Sequence, residues 1–399
     1  MNSIILKKNK QQIPLNKHPW IFSGAIQPVT DKIIPGEIAA VITPPDKICA
    51  YGTYNPNSNI SVRIISWGNI PVTKEWFYTH IKDIAAVKEN LLGISGLPET
   101  KKNYRVIFSD ADNVPGLIID RYGTVFVLQL QTLFSDINRQ LWIDIIQSLW
   151  QPSCIYERSD VVTRKQDGLK ELPAGILSGS LPGNFTIEEN NFNIMVDIPN
   201  GQKTGYFLDL RQFRKRIEYW CGLMKIRYLQ NYFAYTGSFN LFALRSGVNQ
   251  IDHIEISKPA NIIAKNNLKL NRFDDRNVQI IPDDCFNYLS HSDSNNPDAI
   301  ILDPPSFVRH KEKIKNAIAG YERLNCLALK KLAPGGLLFS LCCSSHIDER
   351  LFQQILFRSA ALSNSKITVL EKIGHDIDHT YNLYFPESRY LQGWILYKS

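Results

Sequence analysis

From about residue 191 to the end of this 399-residue chain, short, mostly apolar runs alternate with stretches of helical periodicity, and no other feature restricts the fold as much. The runs Arg227–Phe233, Gln250–Ile256, Val278–Ile281, Ala299–Leu302, Leu337–Leu341 and Leu391–Tyr397 read as strands, with helical patterns between them. A repeated strand–helix–strand series packs as a parallel sheet with helices on both faces, so a doubly wound α/β domain is expected here. Such folds bind ligands just beyond the carboxyl ends of their strands, and the residues that follow each run therefore matter most.

Two further zones precede it. Residues 1–72 hold short β-like runs at 36–43, 49–54 and 60–66, separated by the turn signals Pro44-Pro45-Asp46 and Asn55-Pro-Asn-Ser58, as in a small barrel. Residues 73–190 open with a helical pattern from Lys74 to about Leu92. They continue as strand, Tyr122-Gly123 turn and strand over 113–129, then an amphipathic helix from a cap at Ser135 to Trp150 and a strand over 153–158. That order suggests a central α+β domain. The expected division is thus 1–72, 73–190 and 191–399.

With 44% apolar and 21% charged residues the chain is globular in composition. It contains no apolar run of membrane-spanning length, and its first ten residues are too polar for a signal peptide, so a cytosolic protein is expected. Its seven cysteines are odd in number and show no Cys-x-x-Cys spacing, which argues against a disulfide framework or a zinc site. A net charge of +7 suits a polyanionic partner. The basic residues cluster at Lys7, Lys8, Lys10, Lys17 and His18, at Arg211–Arg216, and at Arg309, His310, Lys311, Lys313 and Lys315.

The strand ends carry chemistry. The first strand runs into Phe233-Ala-Tyr235-Thr236-Gly237-Ser-Phe239, where Gly237 permits close backbone approach to a ligand. There is no Gly-x-Gly-x-x-Gly, so a pyrophosphate cradle is not expected, and a cofactor without phosphates such as S-adenosylmethionine fits better. Glu255 ends the second strand, where an acid suits ribose hydroxyls, and Asp284 ends the third as a candidate for an adenine amino group. Asp303-Pro304-Pro305 ends the fourth: two prolines remove donors, stiffen the turn and hold the carboxylate against an exocyclic amine. The fifth ends in Cys342-Cys343, which point to opposite sheet faces, so that Cys343 is expected to meet Asp303 across the crevice and Cys342 to face away. Thiolate addition at C6 of a pyrimidine would make C5 nucleophilic enough to take a methyl group.

These motifs bring a family into view. The chain resembles the ribosomal RNA large-subunit (23S rRNA) cytosine-5 methyltransferases that carry an N-terminal PUA domain. Lys17–Ala25 and Tyr54–Arg63 resemble the PUA portion, Asp112–Arg121 and Tyr156–Asp160 the central domain, and Gly201–Arg211 with the strand-end motifs the Rossmann-like methyltransferase domain. Two departures stand out: Gly237-Ser-Phe239 replaces a common Gly-Gly-Phe, and Cys342-Cys343-Ser344 replaces Ser-Cys-Ser. The resemblance implies S-adenosylmethionine as donor, a 23S rRNA cytosine as acceptor, no membrane and often a homodimer. It places Cys343 as nucleophile, and Tyr235, Thr236, Gly237, Phe239, Glu255, Asp284, Asp303 and Pro304 in cofactor- or base-binding positions. Glu387, in a segment expected to form a hairpin at the pocket edge, is the candidate proton abstractor. Lys17, His18, Trp20 and Arg63 are the candidate RNA contacts. Two other readings stay open: an exocyclic-amine RNA methyltransferase without a covalent step, and a non-catalytic RNA-binding assembly factor.

Overall fold

A computed structural model describes every residue except 1, 11, 30–31, 274–276, 292–295 and 308–313. Of the third basic cluster, Arg309, His310, Lys311 and Lys313 therefore lie outside the described residues. The chain divides into two compact units. One comprises Met1–Ile187, Val196–Leu208 and Ile377–Ser388, and the other Glu188–Met195, Asp209–Asp376 and Arg389–Ser399. Both of the expected N-terminal segments thus fall, up to residue 187, in the first unit. Among the described residues no helix is long and apolar enough to cross a membrane.

The first unit holds two five-stranded sheets among the described residues. One is ordered Ser3–Ile5, Ile38–Thr43, Lys47–Tyr54, Val62–Trp67, Trp20–Ile21. Just beyond its two edge strands the chain pairs again: Leu6 bridges Ile26, and the Lys7 and Gln27 N–H groups donate to Ala25 and Ile5 oxygens. The sheet therefore curls back on itself around Ile4, Leu6, Ile21, Val41, Val62 and Ile64, as the turn-separated runs suggested. Its edge strands, of three and two residues, are too short for their alternation to show in the sequence.

The second sheet is ordered Gly175–Gly179, Cys154–Glu157, Val125–Leu130, Leu117–Tyr122, Asn103–Phe108. Helix Lys74–Leu92 packs on it through Phe77, Ile81 and Ala85. Thr73 accepts the Trp76 N–H at one end of that helix, and Gly93 turns left-handed at the other. The helix expected from Ser135 differs. It starts at Leu133, is capped by Thr132, with which Ser135 forms a reciprocal capping box, and breaks at Asn138 before resuming over Arg139–Trp150. The break fits asparagine's side chain, which competes with the helix by donating to the Phe134 oxygen.

The second unit is built on a seven-stranded sheet: β1 Tyr228–Tyr232, β2 Gln250–Ile254, β3 Val278–Ile281, β4 Ala299–Leu302, β5 Leu337–Cys343, β6 Ile367–Ile373 and β7 Leu391–Lys398. Their spatial order is β3-β2-β1-β4-β5-β7-β6. β1 to β5 pair in parallel, but β7 is antiparallel to both β5 and β6. The sheet is thus mixed and not wholly parallel as expected. No crossover helix joins β6 to β7, so β7 returns beside β6 and slots in next to β5. The sequence did not reveal β6, an edge strand that is nowhere fully buried and carries Glu371 and Lys372. On one sheet face Tyr232, Ile254, Leu302, Leu338 and Trp394 join Tyr321, Leu324 and Phe352 in the core. The strand order reverses at β1, which has β2 on one side and β4 on the other.

Candidate active site

Register brings the strand-end motifs together. Tyr232 of β1 lies opposite Ile254 of β2 and Leu302 of β4, and Ile254 lies opposite Ile281 of β3. Four parallel strands therefore end in one line. The residues that leave them, Phe233–Gly237, Glu255, Pro282–Asp284 and Asp303–Pro304, do so along one edge at the switch point.

The turn after β1 is tightly wound. Phe233, Tyr235 and Gly237 all have positive φ, at 56°, 47° and 72°. Gly237 opens helix Ser238–Arg245, and a Cβ there would meet Ala264 Cβ and Asn240 Nδ2, each at 3.2 Å. Glu255 ties this turn to the end of β2. Its Oε2 accepts the Tyr235 N–H at 3.0 Å and its Oε1 the Ser257 N–H at 2.8 Å, which fixes the carboxylate's direction. The Thr236 carbonyl accepts from Asn267 Nδ2 at 2.9 Å.

Beneath the turn runs a buried polar chain that the sequence reading missed. Asn231 donates to Asn240, Asn240 donates to His253 Nδ1, His253 Nε2 faces the Asn261 oxygen at 3.0 Å, and Asn261 donates to the Glu255 carbonyl. With Nδ1 accepting, the proton resides on Nε2. Burial pushes the His253 pKa down to about 4, so the ring is neutral. The signal available in the sequence was a polar residue at an inward position in each of two apolar runs, Asn231 and His253.

Asp284 lies at the end of β3 as expected, but its Oδ1 accepts the Asn287 N–H at 3.0 Å and so caps helix Cys285–His291. Phe239 turns away from the crevice: its ring is 4% exposed and packs edge-on against Phe213 in the core. It is inward-facing on an amphipathic helix, and we do not carry it forward as a cofactor contact.

Asp303 and Cys343 meet. Cys343 Sγ lies 3.8 Å from Asp303 Oδ1, both side chains half-buried, with Pro304 buried beside them. Cys342 is fully buried on the other face among Tyr321, Leu338 and Trp394, and burial pushes its thiol up to about 12. The pairing of Cys342 with Gln392 and Cys343 with Leu391 sets which thiol faces which way.

The N-terminal candidates fall in the first unit. Arg63 is nearly buried, lies 5.3 Å over the Trp20 ring and pairs with Asp110 at 3.2 Å, while Trp20 Nε1 donates to the same carboxylate at 2.9 Å. Both side chains are thus fixed in place by Asp110. Lys17 lies over the Tyr384 ring, and His18 Nε2 lies 3.1 Å from Glu387 Oε2. Glu387 sits in a 3-10 turn, Pro386–Ser388, within the long β6–β7 connection and not in a strand. It belongs to the first unit and Cys343 to the second.

The donor set at the crevice fits S-adenosylmethionine. Residues 233–237, 255–257, 282–286 and 303–307 contain acids, hydroxyls and aromatic rings but no lysine or arginine. Oriented carboxylates suit a ribose diol, an amine and a sulfonium cation, and would repel a pyrophosphate.

Comparison with known proteins agrees. A PUA-like domain model matches residues 4–67, and a model described as S-adenosylmethionine-dependent methyltransferase matches residues 165–375, more than half of the chain. The fold and the crevice thus define an S-adenosylmethionine-dependent methyltransferase. A ribosomal RNA large subunit methyltransferase I of Vibrio parahaemolyticus is 35% identical over 98% of both chains, and proteins of the same name from Aliivibrio fischeri and Cronobacter sakazakii are 34% and 33% identical over 98%. The chain belongs to the ribosomal RNA large subunit methyltransferase I family. Among solved structures, a chain from Streptococcus mutans described as a SAM-dependent methyltransferase superposes at TM-score 0.82 with 19% identity, and a methyltransferase in complex with S-adenosylhomocysteine at 0.84 with 20%, each over the full length of both chains. These two likenesses support the fold alone.

Proposed function

We propose that this chain methylates C5 of a cytosine in 23S rRNA through a transient bond between Cys343 Sγ and C6 of the ring. The observation that carries this reading is the 3.8 Å approach of Cys343 Sγ to Asp303 Oδ1 at the ends of two neighbouring strands, with Cys342 turned into the core. When bound, S-adenosylmethionine would supply the methyl group as an electrophile on a sulfonium, its S–CH3 bond breaking with the pair left on sulfur as a neutral thioether. Glu255 holds the ribose, the Tyr235–Gly237 turn lets the backbone approach the methionine part, and Asp303 with Pro304 lines the base side.

The Asp303 carboxylate takes the thiol proton, so that a thiolate attacks C6. The resulting carboxylic acid donates to ring N3, which draws electrons as the S–C6 bond forms. The C5–C6 π pair moves to C5, which takes the methyl group. Loss of the C5 proton to a base then restores the double bond, breaks S–C6 and returns the thiolate, which regains its proton from Asp303. The target cytosine has to leave its stack, at a cost of a few kcal/mol that is least for an unpaired base. The three-domain division at 72 and 190, a homodimer and a cytoplasmic site of action, where ribosomal RNA is met, complete the proposal.

The test is nucleoside mass spectrometry of 23S rRNA after incubation with the protein and S-adenosylmethionine. The expected product is 5-methylcytidine, and Cys343→Ala should yield none while still binding the cofactor. An N-methylated nucleoside, formed equally well by Cys343→Ala, would overturn the covalent route in favour of amine methylation.

A further inference from the structure

In the first unit a cavity of about 450 Å³ opens beside the barrel sheet, lined by Ile13, His18, Trp20, Phe22 and Glu387, with Lys10 at its rim. The catalytic reading makes no use of it. Its walls are flat and rigid: the Trp20 indole is pinned by Asp110 and Arg63 and packs edge-on against Phe385 at 4.8 Å, while Phe22 stands 52% exposed. Its acceptor is aimed. The Trp20 backbone N–H donates to His18 Nδ1 at 3.2 Å, so His18 carries a proton on Nε2 and donates to Glu387 Oε2 at 3.1 Å. Among the described residues no lysine or arginine forms a salt bridge with Glu387. Lys10 lines this cavity and Lys7 donates to the Gly24 carbonyl on its wall, and both are exposed.

We infer that this cavity receives one unpaired guanine of the substrate RNA. The inference rests on RNA being the substrate. Basic residues around aromatic walls suit a single strand, its phosphates on the lysines and a base between the rings. A carboxylate inside such a site repels phosphate, so it faces a base edge. Guanine presents two adjacent donors, N1–H and N2–H, and fits a carboxylate through both oxygens. Adenine and cytosine each set their amino donor beside a ring-nitrogen acceptor, and uracil sets N3–H between two carbonyl groups.

Fluorescence anisotropy of the full chain with a short labelled oligouridine carrying one central guanosine, inosine or adenosine tests this. Inosine keeps N1–H but lacks the amino group. The guanosine oligomer is expected to bind about tenfold more tightly than the other two, as a bidentate pair does. Glu387→Gln should erase that preference, and Phe22→Ala should weaken all three alike. His18→Phe, which keeps a ring but drops the Nε2 donor, should reduce the preference severalfold and serves if the first variant does not fold. Equal affinities on the unaltered chain, or a preference that survives Glu387→Gln, would overturn the assignment. If 23S rRNA is methylated but guanosine is not preferred, this inference alone fails. If no RNA is methylated, the proposed function fails with it.

Discussion

Cys342 and Cys343 are neighbours in the chain and opposites in surroundings. One thiol is fully buried with its pKa pushed to about 12, and the other faces a carboxylate at the crevice. Cys342→Ala is therefore expected to keep methyl transfer and to lower unfolding stability by about 1–2 kcal/mol in urea titrations, the ordinary cost of a small core deletion. Cys343→Ala should abolish transfer with the melting temperature unchanged. Glu255 is oriented by two backbone donors, and Glu255→Ala leaves both without their acceptor. Cofactor affinity measured by calorimetry should fall roughly tenfold or more, as for a lost charge-assisted hydrogen bond. His253 gives a pH test. The folded state resists its protonation down to about 4, whereas the unfolded chain takes the proton near 6.5, so stability present above 6.5 drains away as the pH falls through that window. The loss amounts to about 3 kcal/mol at the lower end, read as falling urea midpoints, and His253→Asn should flatten the slope. At this scale the acids and the thiol were legible because strand-end residues are named by their position. The burial of Phe239 and the capping by Asp284 were not legible, because a side chain's direction, and its use as a cap, depend on what packs around it.

At the scale of elements, the turn after β1 decides whether a ligand can approach. Gly237 combines a left-handed φ of 72° with neighbours at 3.2 Å. Gly237→Ala is expected to cost about 1–2 kcal/mol in stability, from the disfavoured conformation alone, and to weaken cofactor binding with little change in helix content by circular dichroism. The strands β1 to β5 were legible because each is a short apolar run between helical patterns. The edge strand β6 was not, since Glu371 and Lys372 interrupt its apolar residues and no position in it is fully buried. The break at Asn138 was equally hidden, because amphipathic spacing continues straight through it.

For the whole molecule, charge is the property that reaches furthest. With a net charge of +7 and exposed Lys8 and Lys10, the latter lining the N-terminal cavity, RNA binding should weaken steeply with salt. Each phosphate contact contributes about 0.7 to the slope of log affinity against log salt for a single strand. Replacing Lys8 and Lys10 by Ala together is expected to lower that slope by about 1.4 if each meets one phosphate, and filter binding across a salt series checks it. By itself the sequence determined the α/β class of the C-terminal half, the barrel before it, the cofactor's chemistry and the acid–thiol pair, since all of these follow from periodicity and from the residue types at strand ends. The tertiary structure alone decided that the last strand runs antiparallel, that Arg63 and Trp20 are held by Asp110, and that Glu387 joins His18. Each of these depends on strand register or on partners distant in the chain, and local composition carries no record of either.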